Sequence, residues 1–308
     1  MTGHAGESTR VDYLGAALIV AAAIAFSAKA IFVKLAYADL TSDVRVDPVT
    51  LLTMRMGLSL PLFAVIAWWS SRHTSYTMTR RDWVAVTGIG LIGYYGASLF
   101  DFWGLMYISA ALERLILFLN PTIVVIISAL ALGYRIKARD VFALAISYAG
   151  IAFVFAADLD ANREGVLLGS ALVLISAILY AVYLVGAGQM TKRIGAVRFA
   201  AYASIVSCVA ISLHFLVWRD AALLAGQSQR VWGLAGAMAL ISTVLPIVMM
   251  AEGMRRIGSS NAAMMSSIGP ISTILLGYLF LGEPITATQI VGAGLVLTGV
   301  LVISLKKN

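Results

Sequence analysis

The sequence predicts an all-α integral membrane protein of ten transmembrane helices, arranged as two inverted five-helix repeats. Three observations predict it. Ten apolar runs are each long enough to cross a bilayer, Lys and Arg are concentrated in alternate connections, and the second half of the chain repeats the first at a fixed offset.

Composition limits the class first. Of the 308 residues, 61% are hydrophobic and only 12% are charged. A soluble domain carries roughly 25% charged residues, so a water-facing globule is excluded. The net charge of +7 does not point to nucleic acid, because the basic residues sit in short clusters between apolar runs, as membrane topology requires. Cys208 is a lone cysteine in an apolar run, without an intrachain disulfide partner or metal-ligand spacing, and reads as a small core residue. Residues 1–12 are polar and the apolar run from Tyr13 is too long for a signal-peptide core, so no cleavable signal is expected.

A spanning helix needs about 20 apolar residues. The runs that meet this are 13–36, 47–70, 83–107, 110–132, 139–157, 166–189, 197–218, 231–253, 260–281 and 286–304. Backbone groups in lipid must bond within their own segment, which makes these runs helices. With the N-terminus inside, the cytoplasmic side holds Arg10, Arg72, Arg80, Arg81, Arg135, Lys137, Arg139, Lys192, Arg193, Arg198, Arg255, Arg256, Lys306 and Lys307. The outside holds Arg45, Arg163, Arg219 and Arg230. This 14-to-4 split fits an even helix count with both termini cytoplasmic in a cell inner membrane. Trp68, Trp69, Trp83, Trp103, Trp218 and Trp232 fall near helix ends, as an interfacial belt would have them.

Residues 104–155 align with 253–304 at an offset of 149 without a gap. Nine of the 52 positions are identical, and the backbone-restricting residues coincide: Gly104 with Gly253, Pro121 with Pro270, Gly133 with Gly282, Gly150 with Gly299. Ile136-Lys137-Ala138 likewise matches Ile285-Thr286-Ala287. A five-helix unit is odd, so its second copy enters the membrane in the opposite sense. The halves are 13–157 and 166–304. Inverted repeats place a solute site at their interface near the midplane, often beside interrupted helices. Pro121 and Pro270 are the helix-break candidates.

The stretches GLMYISAALERLILFLNPTIVVIISALALGYRIKARDVFALAISYAGI (104–151) and GMRRIGSSNAAMMSSIGPISTILLGYLFLGEPITATQIVGAGLVLTGV (253–300) resemble the EamA-type module of the drug/metabolite transporter superfamily. The shared cues are a turn ending in Ser or Gly, a helix with a central Pro, a Leu281-Gly282-Glu283-Pro284-like turn and a Gly-rich last helix. Tyr134 stands in the first copy where Glu283 stands in the second, which makes Glu283 a turn or interface residue. The resemblance implies a ten-helix exporter or exchanger with cytoplasmic termini and a central cavity. It names no solute.

Charged side chains within apolar runs are costly and mark function by default. Lys29, Arg55, Asp101, Glu113 and Arg114 come from four runs, at depths that 1.5 Å per residue puts in one outer layer. They are the candidates for solute binding or gating, with Asp101 or Glu113 also able to carry a proton. Internal ion pairs are the alternative reading: Asp101 with Arg55 or Lys29, and Glu113 with Arg114. Asn120 offers a polar contact at midplane or a plain interhelical hydrogen bond. Lys34 reads as reaching for the outer surface, His214 as a satisfied interfacial side chain, and Glu252 as a partner of Arg255 or Arg256. Gly88-Ile89-Gly90-Leu91-Ile92-Gly93 fits a dinucleotide-binding pattern but lies inside a helix without a preceding strand, so close helix packing explains it; Gly292 and Gly294 read the same way. With no nucleotide loop, metal-ligand spacing or catalytic grouping, no cofactor, metal or enzymatic activity is expected. The expectation is a secondary transporter, an exporter of a small metabolite or amino-acid-like solute working by alternating access. A passive channel or facilitator and a membrane-embedded enzyme remain alternatives, and monomer or homo-oligomer is open.

Overall fold

The computed structural model describes residues 12–72, 74–132, 138–160, 165–258, 262 and 265–304. Arg10, Gly133, Tyr134, Arg135, Ile136, Lys137, Arg163, Ala263, Lys306 and Lys307 lie outside them, and the side chain of Arg139 is not described.

The described residues are all-helical. The helices are α1 (Tyr13–Tyr37), α2 (Pro48–Arg72), α3 (Arg80–Gly104), α4a (Ala110–Leu117), α4b (Asn120–Leu132), α5 (Ala138–Asp160), α6 (Val166–Ile194), α7 (Ala196–Trp218), α8 (Gln229–Ile257), α9 (Gly269–Leu281) and α10 (Ala287–Ser304). Among the described residues, seven helical stretches are long and apolar enough to cross a membrane: α1, α2, α3, Ala110–Ile127, α6, α7 and α8. Shorter apolar helices, Val141–Ala156, Gly269–Leu281 and Ala287–Val302, occupy the other three runs. The chain is a multi-pass membrane protein.

Two departures from the sequence reading have local causes. Helix α3 starts at Arg80, not Trp83, because Thr79 and Asp82 form a reciprocal capping box. The run 110–132 is broken at Phe118 and Leu119. Pro121 has no N–H and its ring crowds the carbonyl four residues back. That carbonyl belongs to Leu117, and Asn120 Nδ2 donates to it at 2.6 Å. Asn120 thus satisfies the acceptor that Pro121 sets free.

Helices α3, α8 and α9 each contain a π-helical turn, Leu91–Gly96, Leu240–Val244 and Gly277–Leu281. Such turns are rare and cluster at functional sites. In α8 the turn lies just before Pro246, and the hydroxyls of Ser242 and Thr243 both donate to the Met238 carbonyl, at 3.1 and 2.8 Å. The turns of α3 and α8 start 149 residues apart, and so do the helices α3 and α8, α4b and α9, and α5 and α10.

Packing follows a paired pattern. Helix α1 lies on α8, α3 on α6, α2 on α7 and α5 on α10, with α4b on α6 and α1 on α9. Adding five to each label exchanges α1–α8 with α6–α3 and leaves α2–α7 and α5–α10 unchanged. Small residues allow the close approaches. A Cβ on Gly104 would lie 2.8 Å from the Gly169 carbonyl, and one on Gly253 3.2 Å from that of Gly15. Gly150 and Gly292 bring α5 and α10 into the same intimacy, each facing the other's carbonyl. In the Gly88–Gly93 stretch, Gly90 and Gly93 meet Ala203 and Tyr183 as the packing reading expects, whereas Gly88 and, in α10, Gly294 face open space. Gly282 takes φ +67°, the left-handed turn that glycine supplies at no steric cost. At one end of the bundle Ser228 caps α8 and donates to Asp39 after α1 at 2.9 Å. At the other, Arg256 of α8 reaches Asp12, the cap of α1, at 3.3 Å.

Candidate functional site

A cavity of about 370 Å³ lies in the middle of the bundle. Six of the sequence candidates line it: Lys29, Arg55, Asp101, Arg114, Asn120 and Pro121. Glu113 is buried directly behind it, 1% exposed. Pro270 is buried at the start of α9 without lining the cavity.

Three of the charges form one cluster. Lys29 Nζ from α1 donates to Asp101 Oδ2 of α3 at 2.5 Å and to Glu113 Oε1 of α4a at 2.8 Å. The side chains of Asp101 and Glu113 are 4% and 1% exposed, so the ammonium is held between two buried carboxylates. Each carboxylate keeps one oxygen, Asp101 Oδ1 and Glu113 Oε2, buried without a partner among the described residues. The expected pairing of Glu113 with Arg114 does not form. Adjacent helical residues point about 100° apart and do not face each other, so Glu113 turns to α1 and Arg114 to the cavity.

The two arginines have no ion-pair partner among the described residues. Arg55, 5% exposed, makes only a long contact from Nη2 to Ser98 Oγ at 3.4 Å and stacks over Phe102 at 4.9 Å. Its Nε is unpartnered, as is that of Arg114. Arg114 lies 5.7 Å from the Phe118 ring and passes close over the Gly269 backbone, where a Cβ would meet Nη2 at 2.5 Å. Ser27 Oγ of α1 donates to the Gly269 carbonyl at 3.0 Å, which fixes the start of α9 at this spot.

The cavity wall also contains uncharged residues that the sequence reading passed over: Tyr94, Ser98, Tyr180, Ser242 and Thr243. Tyr94, Ser98 and Asp101 are spaced four and three apart, one face of α3, and that spacing was the available signal. Five pairs of lining residues are separated by 149: Gly93 and Ser242, Tyr94 and Thr243, Ser98 and Ile247, Asp101 and Met250, Leu117 and Ser266.

The remaining sequence readings find their places outside the cavity. His214 Nδ1 and the Tyr95 hydroxyl are 2.8 Å apart. Glu252 accepts from Arg255 and Arg256, both at 2.6 Å. Lys34 is half-buried near the end of α1, and Cys208 is fully buried. Glu283 Oε1 accepts from the Ala110 amide at 3.4 Å. It thereby sets a carboxylate at the N-terminus of α4a, where the helix dipole favours it.

The model of the EamA-like transporter family matches the chain twice, over residues 13–156 and 167–305. Uncharacterized transporter YcbK of Bacillus subtilis is 30% identical over 283 residues, covering 91% of this chain and 89% of that protein. Uncharacterized transporter YyaM of the same organism is 24% identical over 252 residues, covering 81% and 82%. A solved crystal structure shares the fold with a TM-score of 0.63 at 18% identity, covering 92% of this chain and 96% of that one. With two tandem family matches and a relative alike over nine-tenths of its length, this chain belongs to the EamA-like transporter family.

Proposed function

We propose that the protein is a secondary transporter that carries a small solute by alternating access between two inverted five-helix halves, 13–157 and 166–304. The observation that carries this reading is the cavity wall, in which five residue pairs at the repeat offset of 149 contribute from both halves to one space. Opposed copies of one unit around a central site can exchange conformations, opening the site to either side in turn. The matching helix starts and the paired helix packing support the same symmetry.

With both termini cytoplasmic in the inner membrane, Lys29, Asp101 and Glu113 lie on the outer side of the cavity, and Met250, Ser266 and Val300 on its inner side. The ion cluster joins α1, α3 and α4a and acts as the closed outer gate. The solute loads from the cytoplasm and is exported when the gate opens, driven by its own gradient or an ion gradient.

The test is counterflow into proteoliposomes with pooled labelled amino acids, nucleosides and organic acids, with and without a pH gradient. Saturable counterflow of one pool is expected. Flux that rises linearly with concentration and shows no counterflow would replace the carrier with a channel.

Gly269 gives a sharper local prediction. A methyl group there collides with the Arg114 guanidinium, a mobile group that yields before the backbone does. Gly269→Ala is expected to raise the half-saturating solute concentration roughly 10- to 100-fold, the worth of one charge-assisted hydrogen bond, with the yield of folded protein unchanged. An unaltered half-saturation would take Arg114 out of the solute site.

A further inference from the structure

Resting on that reading of the cavity as the solute site, we infer that it takes a small organic dianion together with one proton, the anion on Arg55 and Arg114 and the proton on the Asp101–Glu113 pair. A buried guanidinium without a counter-ion is costly in a bilayer. Arg55 is 5% exposed, and its one polar contact is a hydroxyl at 3.4 Å. Arg114 shares the cavity with it and likewise lacks a carboxylate among the described residues. Planar guanidinium forks match carboxylate and phosphate oxygens in pairs, and two such forks facing one space call for two negative charges. The volume of about 370 Å³ is at the small end of ligand sites, roughly 300–1,000 Å³, which suits a short dicarboxylate or a small phosphomonoester.

Charge counting brings in the proton. With both acids ionised, Lys29, Asp101 and Glu113 together carry one negative charge and the arginines two positive ones. A monoanion would balance the site and leave one arginine bare. A dianion pairs both arginines and leaves the site one charge negative, which a single proton cancels. The structure holds a place for it: Asp101 Oδ1 and Glu113 Oε2 are buried without partners among the described residues while their sister oxygens hold Lys29. The other ionisable groups packed around the pair are already engaged or neutral. Tyr37 of α1 donates to the Phe102 carbonyl, and Glu283 accepts from Ala110. Tyr94 of α3 and Tyr180 of α6 are phenols on the cavity wall, and Cys208 of α7 is a buried thiol beside Arg55. The site then loads as a neutral unit, able to cross without moving charge.

The experiment uses the full-length protein in detergent and in vesicles, with succinate, glycerol 3-phosphate, butyrate and succinamide as probes. Thermal unfolding and titration calorimetry in buffers of different ionisation enthalpy read binding and proton uptake; counterflow reads transport. Succinate or glycerol 3-phosphate is expected to bind with one proton taken up, and which of them does so names the acid. Butyrate and succinamide are expected not to bind. Arg55→Gln and Arg114→Gln each weaken binding at least about tenfold. Arg55→Lys and Arg114→Lys, which keep the charge and lose the fork, weaken it less and guard against a folding defect. Binding of a monoanion or neutral probe with dianions inert, or dianion binding without proton uptake, overturns the inference while the carrier stands. Dianion binding with proton uptake but no counterflow upholds the inference and overturns the carrier. Counterflow of a solute that none of the four probes displaces overturns the inference alone.

Discussion

Asp101→Asn is expected to lower net solute flux by roughly 10- to 100-fold while the protein inserts and accumulates at its normal level. The amide keeps the shape of the carboxyl and still offers an oxygen to Lys29, and Glu113 remains 2.8 Å from the same ammonium, so the helices stay joined. What is lost is the negative charge facing the ammonium, which weakens that hydrogen bond by up to about 1.5–3 kcal/mol among the contacts proposed to hold the outer gate closed. Each 1.4 kcal/mol is a tenfold shift in population, and a carrier that cannot populate both states cannot cycle. The variant also removes one of the two acids available to hold a proton, so the residual flux should lose its dependence on a pH gradient. Efflux from solute-loaded vesicles at matched protein levels checks both. Normal flux in the variant would leave Asp101 with neither role.

How far this site could be read beforehand depended on the cost of charge in lipid. Ionisable residues are so few in the apolar runs that Lys29, Arg55, Asp101, Glu113 and Arg114 stood out without any structure, and four of them line the cavity with the fifth behind it. Of their partners, Lys29 with Asp101 was among the pairings the sequence offered and is present; Lys29 with Glu113 was not legible, because it depends on the rotation of α4a against α1, which no spacing within one helix encodes. Uncharged polar residues were passed over for the opposite reason. Ser and Thr are tolerated in membrane helices by bonding their own backbone, as Thr243 does to Met238, so their presence alone marks nothing.

The fold shows the same division. Bilayer thickness fixes span length, so apolar runs locate most of the described helices to within about five residues; the run 260–281 differs more, with α9 starting at Gly269. The interruption at Phe118 and Leu119 was implicit in Pro121, yet Asn120 shows that a proline break is completed by a neighbouring side chain that the proline does not dictate. The π-helical turns left no mark at all: LIGYYG, LISTV and GYLFL are ordinary apolar sequence. Only the offset of 149 between the turns of α3 and α8 matches that of the repeat read from the glycines and prolines, and the turn of α9 has no such counterpart among the described residues.

Lys29→Met carries the largest expected cost to the folded state. It strips the ammonium from two carboxylates that are 4% and 1% exposed and were held at 2.5 and 2.8 Å. Removing one partner of a buried ion pair leaves an uncompensated charge and costs about 3–5 kcal/mol. Here two like charges are left facing each other, so the cost belongs at the upper end, a large share of a total folding stability of about 5–15 kcal/mol. The expected result is a sharp fall in folded yield and in the unfolding midpoint in detergent. The triple variant Lys29→Met with Asp101→Asn and Glu113→Gln removes the stranded charges with the ammonium, and is expected to recover the midpoint without recovering transport. That split separates stability, which requires only that the charges of the cluster balance, from the proposed gating and proton handling, which require the charges themselves. A single Lys29→Met protein as stable as the wild type would mean that the two acids do not depend on the ammonium, and the ion cluster would have to be redrawn as a pair of neutral acids.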